Sequence, residues 1–203
     1  MNAETPAAEG ETPGQIDAGL IAQTLAGHDP AFDELVRRYH RQALAVAYRL
    51  LHNAEDAADV AQDAFLRAYR GLASLKDRQR FGAWLMRIVT NLALNYRRGR
   101  KNAPTASFED LGDAAGEFRG AGGQPLVREP AAESGPLSSE LRAAITRAID
   151  DLPEKQRLTL LLFTVEGMPQ KDVADVVGCS VELVKWNVFQ ARKKLKQVLA
   201  DYM

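Results

Sequence analysis

Apolar residues recur at steps of three and four along most of this chain, the spacing of helices that bury one face. From Leu20 to about Lys101, Ala31, Phe32, Leu35, Val36 and Tyr39 begin one stripe, and Leu44, Ala47, Tyr48 and Leu51 continue it. Asn53-Ala54-Glu55-Asp56 punctuates the pattern. A further helix is expected from about Ala54 to Leu72, burying Val60, Ala61, Ala64, Phe65, Ala68 and Leu72. Another is expected from Phe81 to Arg98, with Phe81, Leu85, Ile88 and Leu92 inward and Gly99 ending it. No segment alternates with the period of a half-buried strand. The apolar run Leu158–Val165 reads as helix from its neighbours.

The helical pattern stops at 102. Pro104, Gly112, Gly116, Gly120, Gly122, Gly123, Pro125, Pro130, Gly135 and Pro136 leave no room for a long helix. A stretch of about 35 residues without periodicity exceeds an ordinary connection inside a domain. Helices resume over Glu140–Asp150, after a capping Ser138 or Ser139, and over Glu154–Glu166, with Pro153 at the start. The fold expected is therefore all-α: two small helical domains, 23–101 and 138–203, joined by a flexible acidic linker, 102–137. Residues 1–22, acidic and rich in Ala, Pro and Gly, are expected to be a disordered tail.

The chain closes on a helix-turn-helix pattern. Val173, Ala174, Val176 and Val177 mark a short helix, with Ala174 small enough for a close crossing. Gly178-Cys179-Ser180 supplies a left-handed cap and then an N-cap. The second helix, from about Val181, is expected to bury Leu183, Val184 and Val188 and to expose Lys185, Asn187, Gln190, Lys193 and Lys194. From Lys185 to Lys196 there are basic side chains and no acids, a face suited to a phosphate backbone.

Composition sharpens this. The chain has 203 residues, 46% hydrophobic, with no run near the roughly 18–20 apolar residues that span a bilayer. The start lacks a basic, then apolar, leader, which points to the cytoplasm. Cys179 is the single cysteine, so no disulfide within the chain and no cysteine-cluster metal site is expected. The net charge of −1 conceals a segregation. Residues 1–36 carry acids and no lysine or arginine, whereas Lys76–Lys101 carries eight bases against Asp77 alone. Two basic blocks separated by acidic segments suggest two contacts on one polyanion.

Several motifs then gain meaning together. They are Ala31-Phe32 with Leu35 and Tyr39, Glu55–Phe65, Phe81–Arg98, Leu152-Pro153, Glu166-Gly167, Val173-Ala174, Gly178–Ser180, Val184-Lys185 and Ala191–Leu195. In order and spacing, this chain resembles the extracytoplasmic-function (ECF) group of bacterial RNA polymerase sigma factors. The resemblance covers about 25–101 and 138–200. It implies an alternative sigma factor, a dissociable specificity subunit and not an enzyme, which directs promoter recognition, melting and initiation.

Carried over residue by residue, the resemblance gives three sites. Asp56, Asp59, Gln62 and Asp63 would dock on a basic coiled-coil of the polymerase's largest subunit through charge-assisted bonds. Lys76, Arg78, Arg80, Trp84, Arg87, Asn91, Asn95 and Arg98 would hold and read the melted minus-10 strand. Asn95 stands where many relatives carry Asp. Phe81 reads more readily as core than as a stacking platform, and Trp84 is weighed the same way. Ser180, Glu182, Lys185, Trp186, Asn187, Gln190, Arg192 and Lys193 would meet the minus-35 duplex. The family's usual residues after the Val-Lys pair are Ser-Arg and a later His-Arg; here Trp186-Asn187 and Phe189-Gln190 stand there. Trp186 packs on DNA, on a partner, or on its own domain.

The implied partners are core RNA polymerase (coiled-coil and flap), promoter DNA as duplex and melted strand, and an anti-sigma factor. The chain is expected to be a monomer on the polymerase, without membrane insertion and without cofactor or metal. Linker acids Glu109, Asp110, Asp113 and Glu117 would mimic RNA in the polymerase cleft. His28, His40 and His52 are read as surface or satisfied histidines, and Cys179 as a small buried filler. Two other readings stay open. One is a conventional regulator binding palindromic duplex as a dimer; the other is a decoy that binds polymerase but has lost promoter recognition.

Overall fold

The computed structural model describes residues 11–101 and 139–200. The expected linker and its acids lie outside the described residues. Among the described residues the secondary structure is helical, without strands.

The first helix corrects an expectation. Composition places residues 13–22 in a disordered tail, yet α1 spans Pro13–Leu25. Its start is a capping box. The Thr12 hydroxyl accepts from the Gln15 N–H at 3.3 Å, and Gln15 Oε1 accepts from the Thr12 N–H at 2.7 Å. Pro13 occupies the first helical position, where its missing N–H costs nothing. Ile21 is fully buried, and so is Asp17, which accepts from Arg38 Nε at 3.0 Å and from the Tyr39 hydroxyl. A buried carboxylate is tolerated when such donors satisfy it.

Helices α2 (Pro30–Leu51), α3 (Ala54–Gly71) and α4 (Phe81–Lys101) form the N-terminal core. α2 ends where His52 takes a left-handed conformation (φ 54°) and its N–H reaches the Tyr48 carbonyl at 2.7 Å. The Asn53 side chain then caps α3, accepting from the Asp56 N–H at 3.0 Å. The inner face of α3 is Ala57, Val60, Ala61, Ala64, Phe65 and Ala68, so its neighbours approach closely. In α4 the inward set is Phe81, Leu85, Met86, Val89 and Ala93. Ile88 and Leu92, expected inward, are half-buried, and the helix runs through Gly99 instead of ending there. Two 3-10 turns, Leu72–Ser74 and Arg78–Arg80, bracket the loop between α3 and α4.

The C-terminal half consists of α5 (Ser139–Asp150), α6 (Glu154–Leu160), a π turn over Leu161–Val165, α7 (Gln170–Val177) and α8 (Val181–Leu199). The run Leu158–Val165 is helical as expected. Gly178 takes φ 66° at the end of α7, a conformation that favours glycine. Ser180 then caps α8, accepting from the Leu183 N–H at 3.2 Å. Val173, Ala174, Val184, Val188 and Ala191 lock the two helices together.

The two halves pack on one another, α4 against α7, and their buried residues form a continuous core. Ion pairs cross the seam. Arg80 meets Asp172 and Asp175, Arg49 meets Glu166, Arg98 Nη2 lies 2.8 Å from Glu154, and His52 Nε2 lies 3.1 Å from Asp150. Partly exposed pairs of this kind contribute about 0–1 kcal/mol each. The apolar seam therefore supplies most of the attraction, and the ions fix its register.

Candidate nucleic-acid interface

Three surfaces gather the residues singled out in the sequence. On α3, Asp59, Gln62 and Asp63 are exposed along one stripe, with Asp63 held at 3.2 Å by Arg67 Nη2. Asp56 does not belong to it. It is buried in the first turn of α3, facing α4, where its carboxylate accepts from the Tyr96 hydroxyl at 2.6 Å. Leu66, exposed one turn beyond Asp63, and Tyr69 extend the stripe. The signal for Leu66 was its place seven residues after Asp59, on the same helical side. The Tyr69 hydroxyl donates to Asp29 at 3.0 Å, and that bond raises its pKa.

The second surface is the 75–80 loop with α4. Lys76, Arg78 and Arg87 are exposed. Arg80 is turned to the seam, and its bond to Asp172 raises its pKa further. Phe81 is fully buried against Tyr39, ring centroids 5.4 Å apart, and is core. Trp84 is half-buried between Phe81, at 6.0 Å, and the backbone of Gly71. A Cβ on Gly71 would meet the indole at 3.4 Å. Lys76, Arg80, Trp84 and Arg87 converge on one open cavity of about 530 Å³, which Ala174, Asp175, Gly178 and Cys179 of the C-terminal half close from the other side. Further along α4, Asn91 is half-buried, Asn95 exposed, and Arg98 exposed but paired with Glu154.

The third surface is the outer side of α8. Ser180, Glu182, Lys185, Arg192 and Lys193 are exposed and Gln190 is half-buried. Two expectations are corrected. Asn187 is buried: with Val184, Val188 and Ala191 it faces inward, and its Nδ2 donates to Thr159 Oγ1 at 3.4 Å. Leu183, expected inside, is exposed. Trp186 and Phe189 stand out from the helix, 50% and 64% exposed, which removes the packing of Trp186 within its own domain as a reading. The Glu182 carboxyl is held below its ordinary pKa by its backbone N–H and the Ser180 hydroxyl.

Sequence reasoning passed over Arg157. It is buried, donates from Nη1 to the Asp150 carbonyl at 3.0 Å, and its pKa is lowered by desolvation. Cys179 is half-buried and its thiol pKa is raised by that burial. Among the described residues no three His, Cys, Asp or Glu side chains group as a metal site would require, and no helix is long and apolar enough to cross a membrane.

An exposed acidic helix, a cavity lined by Lys76, Arg80 and Arg87 and a basic helix-turn-helix in one chain suit a factor that docks on a protein and on DNA. Residues 35–103 match the family model for sigma-70 region 2, and residues 142–195 match that for sigma-70 region 4. The chain is 34% identical to the RNA polymerase sigma-H factor of Pseudomonas aeruginosa over 183 residues, 90% of this chain and 93% of that one. It is 32% identical to the ECF RNA polymerase sigma-E factor of Escherichia coli K12 over 179 residues, 88% and 92% of the two chains. Among solved structures it resembles CnrH in complex with the cytosolic domain of CnrY, with a TM-score of 0.66 and 26% identity over 92% of this chain and 98% of that one. It shares its fold with sigma factor RpoE of Bartonella quintana, solved with the anti-sigma factor NepR (TM-score 0.59, 23% identity, 83% and 96% covered). This chain belongs to the ECF group of the sigma-70 family of RNA polymerase sigma factors. It is a transcription-initiation factor and not an enzyme, and its two regions bind core RNA polymerase and promoter DNA.

Proposed function

We propose a division of labour among the three surfaces. Asp59, Gln62 and Asp63 of α3 dock on the coiled-coil of the polymerase's largest subunit, where carboxylates aimed at arginines fix orientation. The 75–80 loop and α4 receive the melted minus-10 strand. Lys76, Arg78 and Arg87 track the phosphates, Trp84 offers a ring edge at the cavity, and Asn91 and Asn95 face the bases. Lys185, Arg192 and Lys193 of α8 hold the minus-35 duplex, with Ser180 and the helix N-terminus at a phosphate and Trp186 and Gln190 toward the groove. The C-terminal half also touches the flap, and the chain acts as a monomer on the polymerase. The linker acids occupy the cleft until RNA displaces them.

The gathering of Lys76, Trp84 and Arg87 on one side of the N-terminal half carries this reading, because an unstacked base needs a ring and cations beside it. Arg80 and Arg98 are bonded here to acids of the C-terminal half, so strand capture goes with separation of the halves. Control by an anti-sigma factor and action in the cytoplasm belong to the same proposal; the likeness to CnrH, which was solved with the cytosolic domain of CnrY, supports them.

The test mixes the chain with sigma-free core enzyme and measures association and promoter-dependent transcripts, beside an Asp59→Arg/Asp63→Arg variant. Transcripts from the wild type that the variant loses, together with lost association, establish the docking face. A variant that still associates and transcribes overturns it.

A further inference from the structure

Helix α1 lies before the region-2 match, which begins at residue 35, and none of the surfaces above includes it. It nevertheless touches the proposed strand-capturing loop at two points. The first is Gly14. A Cβ built there would stand 2.7 Å from the backbone oxygen of Gln79 and 3.2 Å from its Cβ, so the first turn of α1 rests directly on the Arg78–Arg80 turn. A backbone atom cannot swing aside as a side-chain tip can. Gly14 has no positive φ, so glycine is required there for space and not for conformation. Gly19, one and a half turns on in the same helix, has nothing within 4 Å and is a built-in control.

The second point runs through Asp17. Its buried carboxylate accepts from Arg38 and from the Tyr39 hydroxyl, which holds the Tyr39 ring in place. That ring packs edge-on against Phe81 and lies where a Cβ on Gly82 would fall, 2.8 Å from Cε1. Gln79 and the Phe81-Gly82 pair flank Arg80. α1 thus fixes the backbone on both sides of the residue where the loop turns into α4.

We infer that α1 is a buttress for the 75–80 loop, and that Gly14, Asp17 and Tyr39 are positioning residues for promoter opening although none of them touches DNA. The inference rests on the reading of that loop as the strand-capturing element. A side chain at Gly14 pushes Gln79 away from α1 and moves Lys76, Arg78 and Arg80 relative to Trp84 and Arg87. Docking through α3 and duplex reading through α8 are left as they were.

The experiment uses the full chain on core polymerase, with 2-aminopurine in the minus-10 strand reporting base unstacking. Gly14→Val is expected to slow opening about ten-fold relative to Gly19→Val, with unchanged polymerase affinity. A template already unpaired at minus 10 should restore transcription to within about two- to three-fold of Gly19→Val. Opening by Gly14→Val at the Gly19→Val rate overturns the inference, and so does an equal loss on paired and unpaired templates. If Gly14→Val unfolds early, Tyr39→Phe decides, because it keeps the ring and removes only the bond to Asp17: slowed opening supports the buttress and normal opening overturns it. Lys76→Ala/Arg78→Ala tests the loop reading separately. Unchanged opening there overturns the loop's role and the buttress with it; slowed opening there, with a normal Gly14→Val, overturns the buttress alone.

Discussion

Arg80 and Asp172 are bonded side chain to side chain across 92 residues of sequence, joining the end of the proposed strand-capturing loop to the first turn of α7. Asp175, on the same side of α7, takes the other arm of the guanidinium. A guanidinium held in this way is unavailable to a phosphate. Replacing both acids, in Asp172→Asn/Asp175→Asn, should return one cation to the nucleic-acid face. Binding of the free chain to single-stranded DNA should tighten, and the slope of log K against log salt should steepen by about 0.7, the increment for one added phosphate contact on a single strand. Titration at several salt concentrations measures this; parallel slopes for variant and wild type would show that Arg80 does not reach the strand.

Asn187 offers a test of core against reader. Its amide is buried beside Thr159, so Asn187→Ala is expected to lower the stability of the C-terminal half by about 1–3 kcal/mol through a lost partner and a small void. The preference among minus-35 sequences should not change. Lys185→Ala should do the reverse, weakening binding to all duplexes alike with little effect on melting. Denaturant curves and competition binding on the two variants separate the roles.

How much of this was legible in the sequence depends on where each partner lies. The helix-turn-helix was readable because its determinants are local: Gly178 for a left-handed cap, Ser180 for an N-cap, and valines at helical spacing. The helices of region 2 were readable for the same reason. α1 was missed although Thr12-Pro13-Gly14-Gln15 spells a capping box, because its apolar residues do not gather on one face and it is anchored by Asp17, whose donors lie at 38 and 39. Asp56 and Asn187 were placed outside because they are polar, but Tyr96 and Thr159, which satisfy them, are 40 and 28 residues away. Periodicity says which residues share a face; it does not say which polar residue finds a partner inside.

The two tryptophans report on the two ends of the molecule. Trp84 is half-buried at the cavity and Trp186 is 50% exposed on α8. Trp84→Phe should leave a red-shifted emission readily quenched by iodide, whereas Trp186→Phe should leave a bluer and better protected one. Adding minus-35 duplex to the Trp84→Phe protein should protect its remaining indole. Unaltered quenching with duplex bound would place Trp186 away from the DNA.

Tyr39 gives the fold a sensitivity to alkali. Its phenol must stay protonated to donate to Asp17, and burial, reinforced by that bond, raises its pKa well above the ordinary tyrosine value of about 10. The stabilisation is complete below about pH 10 and declines as pH rises above it, because the unfolded chain then releases a proton that the folded one keeps. Thermal unfolding of wild type and Tyr39→Phe should therefore converge between about pH 10 and pH 12, the wild type losing more. Parallel curves would show that the hydroxyl makes no such bond.

Among the described residues, the ion pairs named at the seam share one polarity. Arg49, His52, Arg80 and Arg98 all belong to the N-terminal half, and Asp150, Glu154, Glu166, Asp172 and Asp175 all belong to the C-terminal half. Two N-terminal halves would set cation against cation, and two C-terminal halves acid against acid, so the charges disfavour pairing of like with like. The seam's charges favour the opposite half, whether it comes from the same molecule or from another, so crowding should favour exchange of halves between copies over stacking of like on like.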